Sequence, residues 1–272
     1  MAFFSVFANP FIQRALIVGV LVAVCAALLG VVLVLKRYSL IGHGLADVGF
    51  ASLSLALALG LPPLAVATPV VIAASFVIMA VSQKKGVAGD VAIGIAATAS
   101  LSFGVIVTAL TKGFNMDVYS YMFGSILAVG SLDILLSVLL AVLVLGLFAI
   151  FYNRLFIVTC DEDFARASGL NVSVYQFLIS FLTALTVVIG MRIMGTLLIS
   201  SLVIFPAVTA RKLVKSFKAL VIASAVVSIF CLVAGVLVSY FLDLPAGASI
   251  VAVNIAAMLV TAPVSKVLKT RR

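Results

Sequence analysis

The single histidine of this 272-residue chain, His43, precedes Asp47 by four residues in the stretch SLIGHGLADVGFAS. On a helix, positions i and i+4 share one face, with Cβ atoms about 5–6 Å apart. An imidazole and a carboxylate so placed can bind a borderline divalent cation such as zinc, manganese or ferrous iron. Gly42, Gly44, Ala46, Gly49 and Ala51 leave the surrounding surface thin, so another helix or a hydrated ion can come close. One pair supplies two ligands, too few for a closed zinc site. Two copies of the chain about a twofold axis would supply four. The competing reading is structural: the two groups bond only each other at the end of a helix.

A second stretch, LFIVTCDEDFARASGLNVS at 155–173, carries Asp161, Glu162 and Asp163 ahead of Phe164, Ala165 and Ala167, and then Gly169. Acidic residues in a first turn, a small-residue body and a terminal glycine describe a short capped helix. Small residues on its surface let another protein approach closely, which makes it a docking candidate; the alternative is a solvated linker. The chain contains no GxSxG, HExxH, Walker or dinucleotide-glycine motif, so nothing marks it as an enzyme. Cys25, Cys160 and Cys231 are far apart in or beside apolar runs and read as packing thiols.

The elements that must position these residues follow from composition. Hydrophobic residues make up 65% of the chain and charged residues 9%, with a mean hydropathy of +1.43, far from a soluble domain. The expected fold is all-α, a polytopic transmembrane bundle, because backbone groups in lipid must be bonded within the segment. Nine apolar runs of spanning length fall near 12–35, 41–60, 64–82, 91–111, 133–152, 174–191, 193–210, 219–241 and 247–265. Arg192 interrupts the sixth and seventh, and an eight-span arrangement with a re-entrant segment fits the same sequence. Residues 113–131 are too apolar for a solvated loop and too broken by glycine for a crossing, so they are expected to form a short external or re-entrant helix. Asp90 is expected to N-cap the fourth span; Asp117, Asp133 and Asp243 are expected to be solvated. The first residues, MAFFSVFANPFIQR, read as a short leader into span one rather than a removable signal peptide.

Charge gives the orientation. With the amino terminus outside and the carboxyl terminus inside, 14 of the 17 Lys and Arg fall on one side, leaving only Arg14, Lys112 and Arg192 opposite. Loops enriched in Lys and Arg mark the cytoplasmic side. This accounts for the net charge of +9 without nucleic acid as a partner.

Four stretches then resemble a known group in its order: LKRYSLIGHGLADVGFAS, DVYSYMFGSILAV, DEDFARASGLN through MGTLLISSLVIFPAVTARKL, and DLPAGASIVAV. The chain resembles the membrane permease subunit of ATP-binding-cassette importers for zinc, manganese or iron, whose fold is similar to that of the cobalamin and siderophore permeases. The resemblance implies one permease domain over 1–272 in the inner (plasma) membrane. It implies a cytoplasmic coupling helix near 161–169, with Asp161, Glu162, Asp163, Ala165 and Gly169 facing a separate ATPase subunit. An external metal-binding protein and a second copy of the chain are the other implied partners. His43 and Asp47 would hold the metal in transit; the metal is cargo, with no permanently bound cofactor. One departure stands out: the family usually places aspartate first and histidine four residues later, and here the order is reversed. Rival functions are a permease for a chelate such as siderophore, haem or cobalamin, an intramembrane enzyme, and an ATP-independent secondary carrier.

Overall fold

The computed structural model describes residues 10–82, 89–111 and 130–270, with side chains described between 13 and 263. The expected helix at 113–131 falls almost wholly outside the described residues. Eleven helices are described: α1 (Pro10–Leu35), α2 (Ile41–Ala58), α3 (Pro63–Ser82), α4 (Gly89–Leu110), α5 (Ser131–Ile150), α6 (Tyr152–Cys160), α7 (Glu162–Ala167), α8 (Val172–Met194), α9 (Thr196–Leu213), α10 (Phe217–Leu242) and α11 (Ala246–Thr270). Among the described residues there is no strand, and nine helices are long and apolar enough to cross a membrane. The chain is all-α and polytopic.

Helices α1, α2, α8 and α9 form the buried centre, and α3, α4, α5, α10 and α11 surround it with one face outward. Small residues set the closest approaches, because lipid supplies no hydrophobic drive between helices and packing must substitute. Gly30 of α1 lies against the backbone carbonyl of Val203 on α9, and Gly235 of α10 against the backbone of Ile250 on α11. Hydroxyls add cross-helix bonds: Ser224 and Ser228 of α10 donate to the carbonyls of Ala27 (3.3 Å) and Ala23 (3.0 Å) on α1, so these helices run antiparallel. Ser180 of α8 donates to the Ser75 carbonyl of α3 at 3.0 Å.

The interruption between spans six and seven lies at Gly195, not Arg192. Gly195 adopts φ +83°, ψ 162°, a conformation essentially closed to other residues, and α8 ends there. Gly190 packs against Ile199, so α9 folds straight back along α8. Asp90 lies inside the first turn of α4 rather than capping it from outside. There its charge favours the positive end of the helix.

Lys36, Arg154, Arg166, Arg211, Lys212, Lys215 and Lys218 all fall at one end of the bundle, called here the basic end. Helix α2 starts at this end, and α6 and α7 lie beside it.

Candidate functional site

Helix α2 places the His43–Asp47 pair. Glycine inside a helix costs roughly 0.5–1 kcal/mol relative to alanine, and α2 contains three of them early in its length, each filled by a neighbour. Gly42 meets Val203 of α9, Gly44 meets Ile93 and Ala97 of α4, and Gly49 meets Met191 of α8. Farther along, Phe50 and Ala51 meet Gly104, and Thr108 donates to Ser54 Oγ at 3.2 Å, so α2 and α4 run parallel. Thus α2 is gripped on several sides and its azimuth is fixed. His43, at the basic end, has a side chain 60% exposed; Asp47, one turn deeper, is 13% exposed.

The imidazole Nε2 lies 3.6 Å from Asp47 Oδ2. That is near enough for attraction and too far for a hydrogen bond, so neither group is saturated by the other. Among the described residues no cluster of three or more His, Cys, Asp and Glu side chains stands ready to hold a metal. A cation at His43 and Asp47 would take its remaining ligands from water or from a second chain. Helix α4, beside the pair, turns Val91, Ile95, Phe103 and Ile106 outward, all exposed.

The five residues of the short helix have separate fates. Asp161 is the N-cap of α7, its carboxylate accepting from the Phe164 amide at 2.9 Å. At the other end Gly169, with φ +79°, closes a Schellman turn: its amide donates to the Arg166 carbonyl, and the Leu170 amide to that of Ala165. Asp163 and Gly169 are exposed, whereas Ala165 is fully buried. Glu162, its side chain still 37% exposed, is engaged within the chain, accepting from Arg166 at 2.7 Å through Oε1, and from Gln176 at 3.1 Å and Lys36 at 3.5 Å through Oε2. Phe164, not singled out from sequence, is 58% exposed on the outer side of α7. An aromatic among acidic residues of a six-residue helix was the available signal. Cys160, just before α7, is also exposed, unlike the buried Cys25 and Cys231.

Electrostatics outside the spans follow the same network. Burial pushes the Lys36 ammonium below its ordinary value, and the Glu162 charge pulls partly back. Tyr38 is pushed up, by burial first and by the Glu162 charge second.

At the opposite end, Asp133 of α5 is not solvated. It lies 3.0 Å from Arg192 Nε of α8, its side chain 13% exposed, and it accepts the Gly130 amide at 3.0 Å. Two charges near a membrane boundary are cheaper as a pair than apart, which is why an aspartate beginning one span meets the arginine ending another. Beside them a cleft of about 230 Å³ lies between Leu53, Pro62, Pro63, Leu64, Val188, Met191 and Arg192.

A packed all-helical bundle with nine helices long and apolar enough to cross a membrane among the described residues is the architecture of a multi-pass membrane protein. The chain belongs to the ABC 3 transport family, whose pattern matches residues 8–265. It is 31% identical over 264 residues to the manganese import system permease protein of Streptococcus gordonii, covering 96% of this chain and 95% of that one. It is 27% identical over 237 residues to the high-affinity zinc uptake system membrane protein of Haemophilus influenzae, covering 87% of this chain and 91% of that one. Among solved structures it is similar to PsaBC from Streptococcus pneumoniae in complex with Fab. That likeness has a TM-score of 0.86 at 29% identity and covers 100% of this chain and 99% of the other. The chain is therefore a multi-pass inner-membrane protein of a transport family.

Proposed function

We propose that this chain is the permease subunit of an ATP-driven importer that carries manganese or zinc, with ferrous iron chemically within reach. The relatives named for manganese and zinc support the cargo class. The observation that carries the reading is the unsaturated His43–Asp47 pair on a helix fixed by its neighbours. An imidazole with a carboxylate suits these cations.

In this reading the basic end faces the cytoplasm. An external binding protein delivers the ion to the far end, and the ion passes along α2. It is held briefly by His43 and Asp47, with a second copy of the chain contributing the matching pair. A separate ATPase docks at α7, where Asp161, Asp163, Phe164 and Gly169 are open to it. Hydrolysis in that subunit drives alternation between two states, which requires that nucleotide binding favour one of them.

The deciding experiment is uptake into vesicles holding the permease and its ATPase, supplied with the binding protein and radioactive manganese or zinc. ATP-dependent accumulation that free ions compete for, and chelates do not, supports the reading. Competition by siderophore, haem or cobalamin instead would assign a chelate permease. Accumulation without any ATPase would assign a secondary carrier.

A further inference from the structure

We propose that Glu162 is a positioning residue, which ties α7 to the elbow leading into α2 and so delivers movement of α7 to the His43–Asp47 helix. This rests on the reading of the chain as an ATP-driven permease.

Glu162 belongs to the acidic run that sequence assigns to a partner's surface, yet both its oxygens are engaged within the chain. Oε1 accepts from Arg166 on α7 itself, which fixes the side chain against its own helix. Oε2 accepts from Gln176 on α8 and lies 3.5 Å from Lys36, the residue after α1. The Lys36 side chain is only 7% exposed, so α7 is clamped to an interior cation rather than to a solvated one. Pairs of this kind are geometrically demanding, because an unpaired buried charge is strongly unfavourable.

The elbow beyond Lys36 is stiff. Arg37 has φ +63°, a left-handed conformation rarely adopted by a residue with a side chain. The Tyr38 amide donates back to the Leu33 carbonyl at 2.9 Å and the Ile41 amide to the Tyr38 carbonyl at 3.1 Å, closing the turn from both sides. The Tyr38 ring rests on Gly89 at the start of α4, where a Cβ would collide with it. A displacement of α7 is therefore carried through Glu162 and Lys36 into a turn that does not absorb it. It then reaches the start of α2, which carries the candidate metal pair, and the start of α4 beside it. Through Gln176 the same carboxylate holds α8, whose Met191 packs on Gly49 of α2.

The test uses the permease with its ATPase in vesicles and follows manganese accumulated and ATP hydrolysed together. Glu162→Gln keeps size and removes the charge, and Lys36→Gln removes the charge with a side chain one bond shorter. Each is expected to lower manganese moved per ATP by about tenfold, with the ATPase still co-purifying and hydrolysing at the wild-type rate. The double variant should be no worse than either single one, since residues joined in one network are non-additive. An unchanged transport ratio in both single variants overturns the proposal, as does a double variant whose losses multiply. Loss of ATPase co-purification in Glu162→Gln also overturns it, because the residue would then be a docking contact. If Glu162→Gln does not fold, Glu162→Asp, which keeps the charge and shortens the reach, is read the same way. A wild-type complex that moves neither manganese nor zinc with ATP removes the parent reading as well, a result separable from all of these.

Discussion

His43 and Asp47 share one face of α2 with their nearest polar atoms 3.6 Å apart, yet the imidazole stands largely in the open and the carboxylate is nearly enclosed. If the pair holds the ion as proposed, the enclosed Asp47 would serve as the anchor and the exposed His43 as the group that meets the arriving or departing ion. Removing outer-shell partners alone typically costs about 10–100-fold in metal affinity, and removing a ligand should cost at least as much. His43→Ala is expected to raise the half-saturating metal concentration by about that range, and Asp47→Ala to abolish uptake. Both should retain ATPase co-purification. Normal uptake by the double variant would exclude the pair as the ion's resting place.

The Asp133–Arg192 pair predicts a stability effect separate from the chemistry. Its carboxylate is nearly buried while the Arg192 side chain is 32% exposed, so its worth falls between that of a surface pair and a buried one. Asp133→Ala also removes the carboxylate that accepts the Gly130 amide ahead of α5. The expected loss is about 1–3 kcal/mol, read as a lower unfolding temperature in detergent. Arg192→Met should lose at least as much, since it leaves the nearly buried Asp133 carboxylate without its cation, whereas the Arg192 left by Asp133→Ala can reach solvent. Equal stability of Asp133→Ala and wild type would show that the pair contributes nothing.

The helices were legible because each needed only local information: an apolar run long enough to cross lipid, ended by proline, glycine or charge. The start of α2 at Ile41 and the fold-back between α8 and α9 both fall within a few residues of the expected places. The fold-back was attached to Arg192 rather than Gly195 because a charge in an apolar run is conspicuous, whereas a glycine with positive φ is not. Charged partners were not legible. Lys36 and Glu162 are 126 residues apart, and a single sequence reveals that a buried charge needs a partner without revealing which. For the same reason Asp133 read as solvated, and Glu162 as one of three equivalent acids. Of the candidate pair, the spacing of His43 and Asp47 was visible, but their unequal exposure depends on α4 and the helices around α2.

Lys36 gives a pH dependence whose sign follows from its surroundings. Burial outweighs the attraction of Glu162, so the folded chain holds the Lys36 proton less tightly than the ordinary value of 10.5. The unfolded chain then binds more protons between the folded value and 10.5, and stability rises with pH across that window. Below it, the charged lysine costs the fold a constant amount. Lys36→Gln does not titrate, so wild type should gain stability relative to Lys36→Gln as pH is raised toward 10.5. Unfolding temperatures of both proteins in detergent over an alkaline series measure this. A flat difference would show that burial and Glu162 cancel, and one that runs the other way that Glu162 dominates.

Gly30 offers the sharpest packing test, because a side chain there has nowhere to go. An added Cβ would fall on the Val203 carbonyl, and backbone on both sides leaves no flexible group to yield. Forcing extra atoms into a packed interior typically costs about 1–3 kcal/mol, and here the cost falls between α1 and α9, two of the four central helices. Gly146 of α5 is the matched control, since nothing lies within 4 Å of its Cβ position. There alanine relieves the entropic cost of a helical glycine, about 0.5–1 kcal/mol. Gly30→Ala should therefore lower the unfolding temperature and separate α1 from α9, while Gly146→Ala leaves it equal or raised. If Gly30→Ala were as stable as Gly146→Ala, the close approach of α1 to Val203 would be wrong. The placement of α9 against Gly42 of α2, through the same valine, would then fall with it.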